Sequence, residues 1–73
     1  MNTCYRVEVD GYSKYFKNKK DAFTYFISKI GLNKDAELWA LTYSYSDLMY
    51  TYIATQTLLD YYTAKKVGNY ELL

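Results

Sequence analysis

Glu37-Leu38-Trp39-Ala40-Leu41-Thr42-Tyr43-Ser44-Tyr45-Ser46-Asp47-Leu48-Met49-Tyr50-Thr51-Tyr52-Ile53 is the run whose reading decides the fold. Read as strand, turn and strand, it completes a four-stranded sheet. Read as one strand followed by a long helix over residues 46–66, it does not. Glu37 to Tyr45 has strand composition, and Trp39, Leu41, Tyr43 and Tyr45 fall on one face at a period of two. Ser46-Asp47 suits a turn. Met49 to Thr57 is dense in Tyr, Thr and Ile, which favour a pleated surface. Against this, Leu48, Met49, Tyr52, Ile53, Gln56 and Leu59 also recur at helical spacing behind Ser46 as a cap. Tyr50-Thr51-Tyr52-Ile53 and Thr55 are poor helix formers, because their branched or aromatic side chains lose rotamer freedom against the preceding turn. The hairpin is therefore the reading adopted. Thr57 with Asp60 resembles a capping box and predicts a short helix from Leu58 to Val67, ended by Gly68. Asn69 to Leu73 reads as a tail or a short edge pairing.

Upstream, Cys4-Tyr5-Arg6-Val7-Glu8-Val9 alternates, with Tyr5, Val7 and Val9 on one face and Arg6 and Glu8 on the other. Asp10-Gly11 then calls for a type I′ turn, which needs positive φ at both central residues. Tyr12 to Phe16 is the returning strand. Asn18 is a good N-cap with Asp21 three residues on, and Ala22, Phe23, Phe26, Ile27 and Ile30 form one apolar stripe. This predicts an amphipathic helix over Lys19 to Ile30. Gly31 stands where a left-handed cap residue belongs, and Lys19, Lys20 and Lys29 are expected in solvent. The expected fold is α+β: a small two-layer ββαββα domain, residues 1–73. It has a four-stranded antiparallel sheet, one long helix and a short C-terminal helix. One sheet face then needs cover from the last helix, a second protomer or a partner.

Composition bounds the function. Eleven of 73 residues are tyrosine, one is cysteine and none is histidine. Tyrosine gives a broad, rigid contact surface with a polar tip. Histidine is the usual acid, base and metal ligand near neutral pH. The chain reads as a binder and not as an enzyme. A domain of this size has a marginal core, and neither an internal disulfide nor a closed zinc site is open to one lone Cys4. Self-association, as a dimer or higher oligomer, is the remaining route to stability. Single-cysteine usage, the lack of a signal-like start and the lack of a long apolar run predict a cytosolic protein without a membrane span. Residues 1–34 carry seven Lys/Arg against three Asp/Glu, and residues 35–73 carry two against five. Such asymmetry marks either a lysine-rich solvated helix, a basic binding face or a head-to-tail self-contact.

The leading candidate surface is Tyr43, Tyr45, Tyr50 and Tyr52, on either side of the expected Ser46-Asp47 turn. These rings either anchor a partner or simply cover the sheet. Lys14, Lys17, Lys19 and Lys20 interleave with Tyr12, Tyr15 and Phe16 in a pattern that also suits single-stranded nucleic acid. Arg6 is the one arginine, however, and arginine is the usual phosphate and base reader. The partner-binding residues expected are thus Tyr43, Tyr45, Tyr50, Tyr52, Lys17, Lys19 and Lys20. Catalytic, cofactor and metal sites are expected to be none. Glu8 with Asp10 and Asp35 with Glu37 offer only scattered carboxylate pairs, and no phosphate loop or nucleophile motif occurs.

Lys/Tyr/Asn-rich usage accompanies the strand Tyr5-Arg6-Val7-Glu8-Val9-Asp10-Gly11, then Tyr15-Phe16, and Asp21-Ala22 opening a helix. In these respects the first 31 residues resemble small proteins encoded by phages of low-GC bacteria. Many of those are non-catalytic inhibitors of host machinery, including anti-CRISPR and other anti-defence proteins. The resemblance implies steric block of a host protein. It names no target and carries over no functional residue. The rival expectations are a small single-stranded nucleic-acid-binding protein and a self-assembling structural protein.

Overall fold

A computed structural model describes residues 2–45 and 51–66. The elements are β1 (Asn2–Val9), β2 (Tyr12–Phe16), α1 (Lys19–Gly31), β3 (Ala36–Tyr45) and β4 (Thr51–Tyr62). The four strands make one antiparallel sheet in the order β2-β1-β3-β4.

The β1–β2 hairpin turns on Asp10 at φ 51° and Gly11 at φ 87°, as the Asp-Gly pair requires. A Cβ added at Gly11 meets nothing within 4 Å, so the cost of alanine there is backbone strain alone. Gly11→Ala is expected to lose about 1 kcal/mol, read as a lower urea midpoint. An unchanged midpoint would contradict the turn assignment.

Asn18 caps α1 by accepting the Asp21 N–H at 2.9 Å and donating to the Asp21 carboxylate at 3.0 Å. The C-terminal cap is not at Gly31. Gly31 is the last helical residue, and the left-handed residue is Asn33 at φ 56°. The Asn33 N–H donates to the Ile30 carbonyl at 2.8 Å, and the Lys34 N–H reaches back to Lys29 at 3.2 Å. Together these bonds form a Schellman cap with asparagine, which tolerates this conformation, in place of glycine.

Ala22 and Phe26 drive into the sheet against Val7, Val9, Ala36 and Leu38, with Tyr5, Phe16, Tyr25, Ile30 and Tyr62 around them. Two of the five residues of the expected apolar stripe stay exposed: Phe23 and Ile27 are each 45% exposed. Lys29 is only half in solvent, because its ammonium lies over the Tyr25 ring at 4.9 Å.

The largest departure from expectation is at the C-terminal side. No helix begins at Leu58. Instead β4 continues as strand to Tyr62, and residues 63–66 have no regular secondary structure. The end of the expected helix, Val67, and the cap residue Gly68 lie outside the described residues. The reason is long-range pairing. Register runs from Tyr45 opposite Thr51 to Ala36 opposite Tyr62, so the edge of β3 that faces away from β1 is paired with β4 along its whole length. Two extra residues are absorbed as β-bulges, Leu59 between Asp60 and Leu58, and Ala54 between Thr55 and Ile53. The Asp60 carboxylate accepts from the Tyr61 N–H at 2.8 Å and caps no helix.

At about 1.5 Å per residue α1 is about 20 Å long, whereas β4 is about 40 Å at about 3.3 Å per residue. The helix lies over β1, β3 and β2 from the Phe16 row back to the Ala36 row. The hairpin rows beyond Ala40 extend past it.

Candidate functional site

Register assigns the strands two faces. Tyr5, Val7, Val9, Ala36 and Leu38 look toward α1. The helix-free face carries Cys4, Arg6 and Glu8 from β1, and Glu37, Trp39, Leu41 and Tyr43 from β3. From β2 and β4 it carries Tyr15, Leu58 and Tyr61.

One cross-strand row on this face runs Tyr15, Arg6, Trp39, Leu58. The Arg6 guanidinium sits over the Trp39 ring at 5.3 Å, a cation–π contact. The next row sets Glu8 directly opposite Glu37, a like-charge pair that is unfavourable unless compensated. Compensation comes from the row behind. Arg6 Nε lies 3.0 Å from the Glu8 carboxylate, as an ion pair without hydrogen-bond alignment, and the Trp39 indole N–H donates to Glu37 at 3.0 Å. Arg6 and Trp39 are thereby fixed, while Tyr15 at 56% and Tyr61 at 65% exposure flank them.

Glu8 and Glu37 open onto a cleft of about 470 Å³ that Asp10, Asp35, Tyr61 and Tyr62 also line. Asp10 pairs with Lys34 at 3.5 Å, and Asp35 accepts the Ala64 N–H at 2.6 Å. The hairpin turn and the α1–β3 connection meet here, the Asp10 N–H donating to the Asp35 carbonyl at 3.3 Å. The two acidic pairs that look scattered in sequence are thus drawn to one end of the sheet. Among the described residues no group of three or more carboxylates and thiols is spaced to hold a metal ion. No described helix is long and apolar enough to cross a membrane.

Cys4 is partly buried on the same face, opposite Leu41. Burial pushes its thiol above the ordinary value, and the Arg6 charge draws it back only in part. The thiol is poorly ionised and weakly nucleophilic at neutral pH.

The register of the β3–β4 pair differs from the one expected for the four tyrosines. A turn at Ser46-Asp47 would set Tyr43 opposite Tyr50 and Tyr45 opposite Leu48. Register instead sets Tyr43 opposite Ile53, Ser44 opposite Tyr52 and Tyr45 opposite Thr51. A shift of an odd number of places exchanges the faces of a strand. Tyr52 therefore takes the alternate position in the pleat to Tyr43 and Tyr45. Tyr50 lies outside the described residues, as do Ser46, Asp47, Leu48 and Met49. Lys17, Lys19 and Lys20 are exposed at the β2–α1 junction, away from the tyrosine strands. Their neighbour Lys14 lies over the Phe16 and Tyr25 rings at 5.6 and 4.8 Å.

Sequence reasoning missed the Arg6–Trp39 stack and the acidic cleft. Their signals were present as separate alternations, Arg6 with Glu8 and Glu37 with Trp39. Only register puts the two on one face. Comparison with protein-family models, curated proteins and solved structures returns no match.

Proposed function

We propose that this chain is a non-catalytic protein-binding module that acts by covering a partner's surface, as an inhibitor of a host defence protein encoded by a phage or mobile element. The observation that carries the reading is the helix-free sheet face, where Tyr15 and Trp39 stand on either side of a fixed Arg6, with Leu58 and Tyr61 beyond Trp39 on β4. Aromatic and arginine anchors of this kind dominate binding energy at protein interfaces. The adjoining acidic cleft suits a lysine or arginine side chain of the target and steers encounter toward a basic surface. Covering a site needs no nucleophile and no metal, and the weakly ionised Cys4 supplies neither. Action inside a host cell places the protein in the cytosol.

The test is affinity capture of the tagged protein from a low-GC bacterial lysate, followed by assay of the captured protein's own activity. One host protein should be recovered in near-stoichiometric, nuclease-resistant amounts, and its activity should fall at equimolar addition. Tyr15→Ala with Tyr61→Ala should weaken that binding at least about tenfold with an unchanged circular dichroism spectrum. Recovery of nucleic acid alone, or of an equally tight complex with the double variant, would overturn the reading.

A further inference from the structure

We propose that the outer edge of β4 pairs antiparallel with the same strand of a second copy, about a two-fold axis at Gln56, to give one continuous eight-stranded sheet. This stands independently of the host-protein reading.

The two edges of the sheet differ. β2 is five residues long and carries Lys14, which is how edges are usually guarded. β4 is twelve residues long, no described strand pairs with its outer side, and between its bulges at Ala54 and Leu59 the stretch 55–58 around Gln56 is regular strand. From Thr51 to Leu59 it has no charge and no proline. Ile53, Leu58 and Leu59 along it are 38–43% exposed. Such a strand is a template for another strand.

The occupant is chosen by self-complementarity. A two-fold axis normal to the sheet keeps each face on its own side. Centred on Gln56, it sets Gln56 against Gln56 of the second copy and Thr55 against Thr57 of the second copy. The threonine pair is a favourable cross-strand pair, and two facing glutamine amides, each donor and acceptor, can hydrogen-bond to each other. Asp60, the one charge of the strand, falls opposite position 52 and never meets its equivalent. The axis also matches the uneven cover of the sheet. Tyr25 marks the β2 flank of α1, its ring 5.4 Å from Phe16. At roughly 100° per residue, the exposed Phe23 and Ile27 lie on the opposite flank, toward β4. The helix lies over the rows from Thr57 to Tyr62, and the rows of Thr42 and Thr55 extend past it. Antiparallel pairing about Gln56 brings those uncovered rows of each copy beside the apolar helix flank of the other. A foreign strand would supply the backbone bonds without this second match.

Sedimentation equilibrium of the full chain tests the proposal by charge exchange at the axis. Gln56 is exposed, so charge at this position leaves the protomer fold intact. The native protein is expected at twice 8.7 kDa. Gln56→Lys and Gln56→Glu each set like charges face to face. Each should weaken self-association at least about tenfold and sediment as folded monomer. An equimolar mixture of the two variants should return to dimer, because lysine then faces glutamate. A native monomer, single variants that dimerise as tightly as the native chain, or a mixture that stays monomeric would each overturn the axis.

Discussion

Phe26→Ala is expected to cost roughly half of the protein's folding stability at 25 °C. Phe26 has no exposed surface and stands at the centre of the cluster that, among the described residues, joins α1 to the sheet, against Val7, Val9, Ala36 and Leu38. Truncating a buried phenylalanine costs about 3–5 kcal/mol, as lost transfer energy plus the cavity left behind. Domains are stabilised by only about 0.05–0.15 kcal/mol per residue, so 73 residues hold about 4–11 kcal/mol in all. The fully buried set is also small, with Phe26, Leu38, Leu41 and Val7 its largest members. Neighbouring side chains have little volume with which to refill the hole. Tyr12→Ala is the control. Tyr12 is 81% exposed, and its loss should stay within about 0.5 kcal/mol. Urea titration followed by circular dichroism reads both. A Phe26→Ala protein with a midpoint near that of Tyr12→Ala would mean that α1 does not anchor the sheet.

The first half of this architecture is legible residue by residue, because its signals are local. Asp10-Gly11 specifies its own turn, and Asn18 with Asp21 specifies its own cap. The second half depends on contacts between distant residues. Thr57 and Asp60 have the spacing of a capping box, yet Thr57 pairs with Ala40 and Asp60 with Leu38. An unpaired β3 edge outweighs a local helix signal worth about 1 kcal/mol. The register at the tyrosines departs from expectation for a related reason. Tyr43, Tyr45, Tyr50 and Tyr52 share a face only if the connection between their strands holds an even number of residues, whereas Tyr45 opposite Thr51 leaves five. No local pattern fixes that length, and an odd shift inverts every assignment beyond it. The helix-free face was readable only in fragments for the same reason. Arg6 over Trp39, and Glu8 beside Glu37, are products of the β1–β3 register.

Asn33 should prove the most sensitive exposed position. It holds a left-handed φ of 56° at the end of α1, and its side chain also ties down the stretch after β4. Its amide donates to the Lys65 carbonyl at 2.8 Å, and its oxygen accepts the Lys65 N–H at 2.8 Å and the Tyr62 hydroxyl at 2.9 Å. Asp35 adds the Ala64 N–H at 2.6 Å. Residues 63–66 have no strand partner, so these side chains hold them where a ladder does not. Asn33→Ala removes three hydrogen bonds, each worth about 0.5–1.5 kcal/mol and nearer the lower figure in solvent. It also forces a Cβ into the left-handed region at a cost of about 1–2 kcal/mol. The expected loss is about 2–4 kcal/mol. Asn33→Gly removes the same bonds without the strain, so it should be the more stable variant by about 1 kcal/mol. Tyr62→Phe, lacking one hydroxyl, should lose about 0.5–1 kcal/mol. Amide hydrogen exchange separates the two roles of the residue. Lys65 should lose protection equally in the alanine and glycine variants, while the Asn33 and Lys34 amides should stay protected longer with glycine. If alanine and glycine prove equally stable, the backbone conformation carries no cost. If Lys65 keeps its protection in both, the side-chain clasp does not hold the chain, and the end of β4 is secured by pairing with β3 alone.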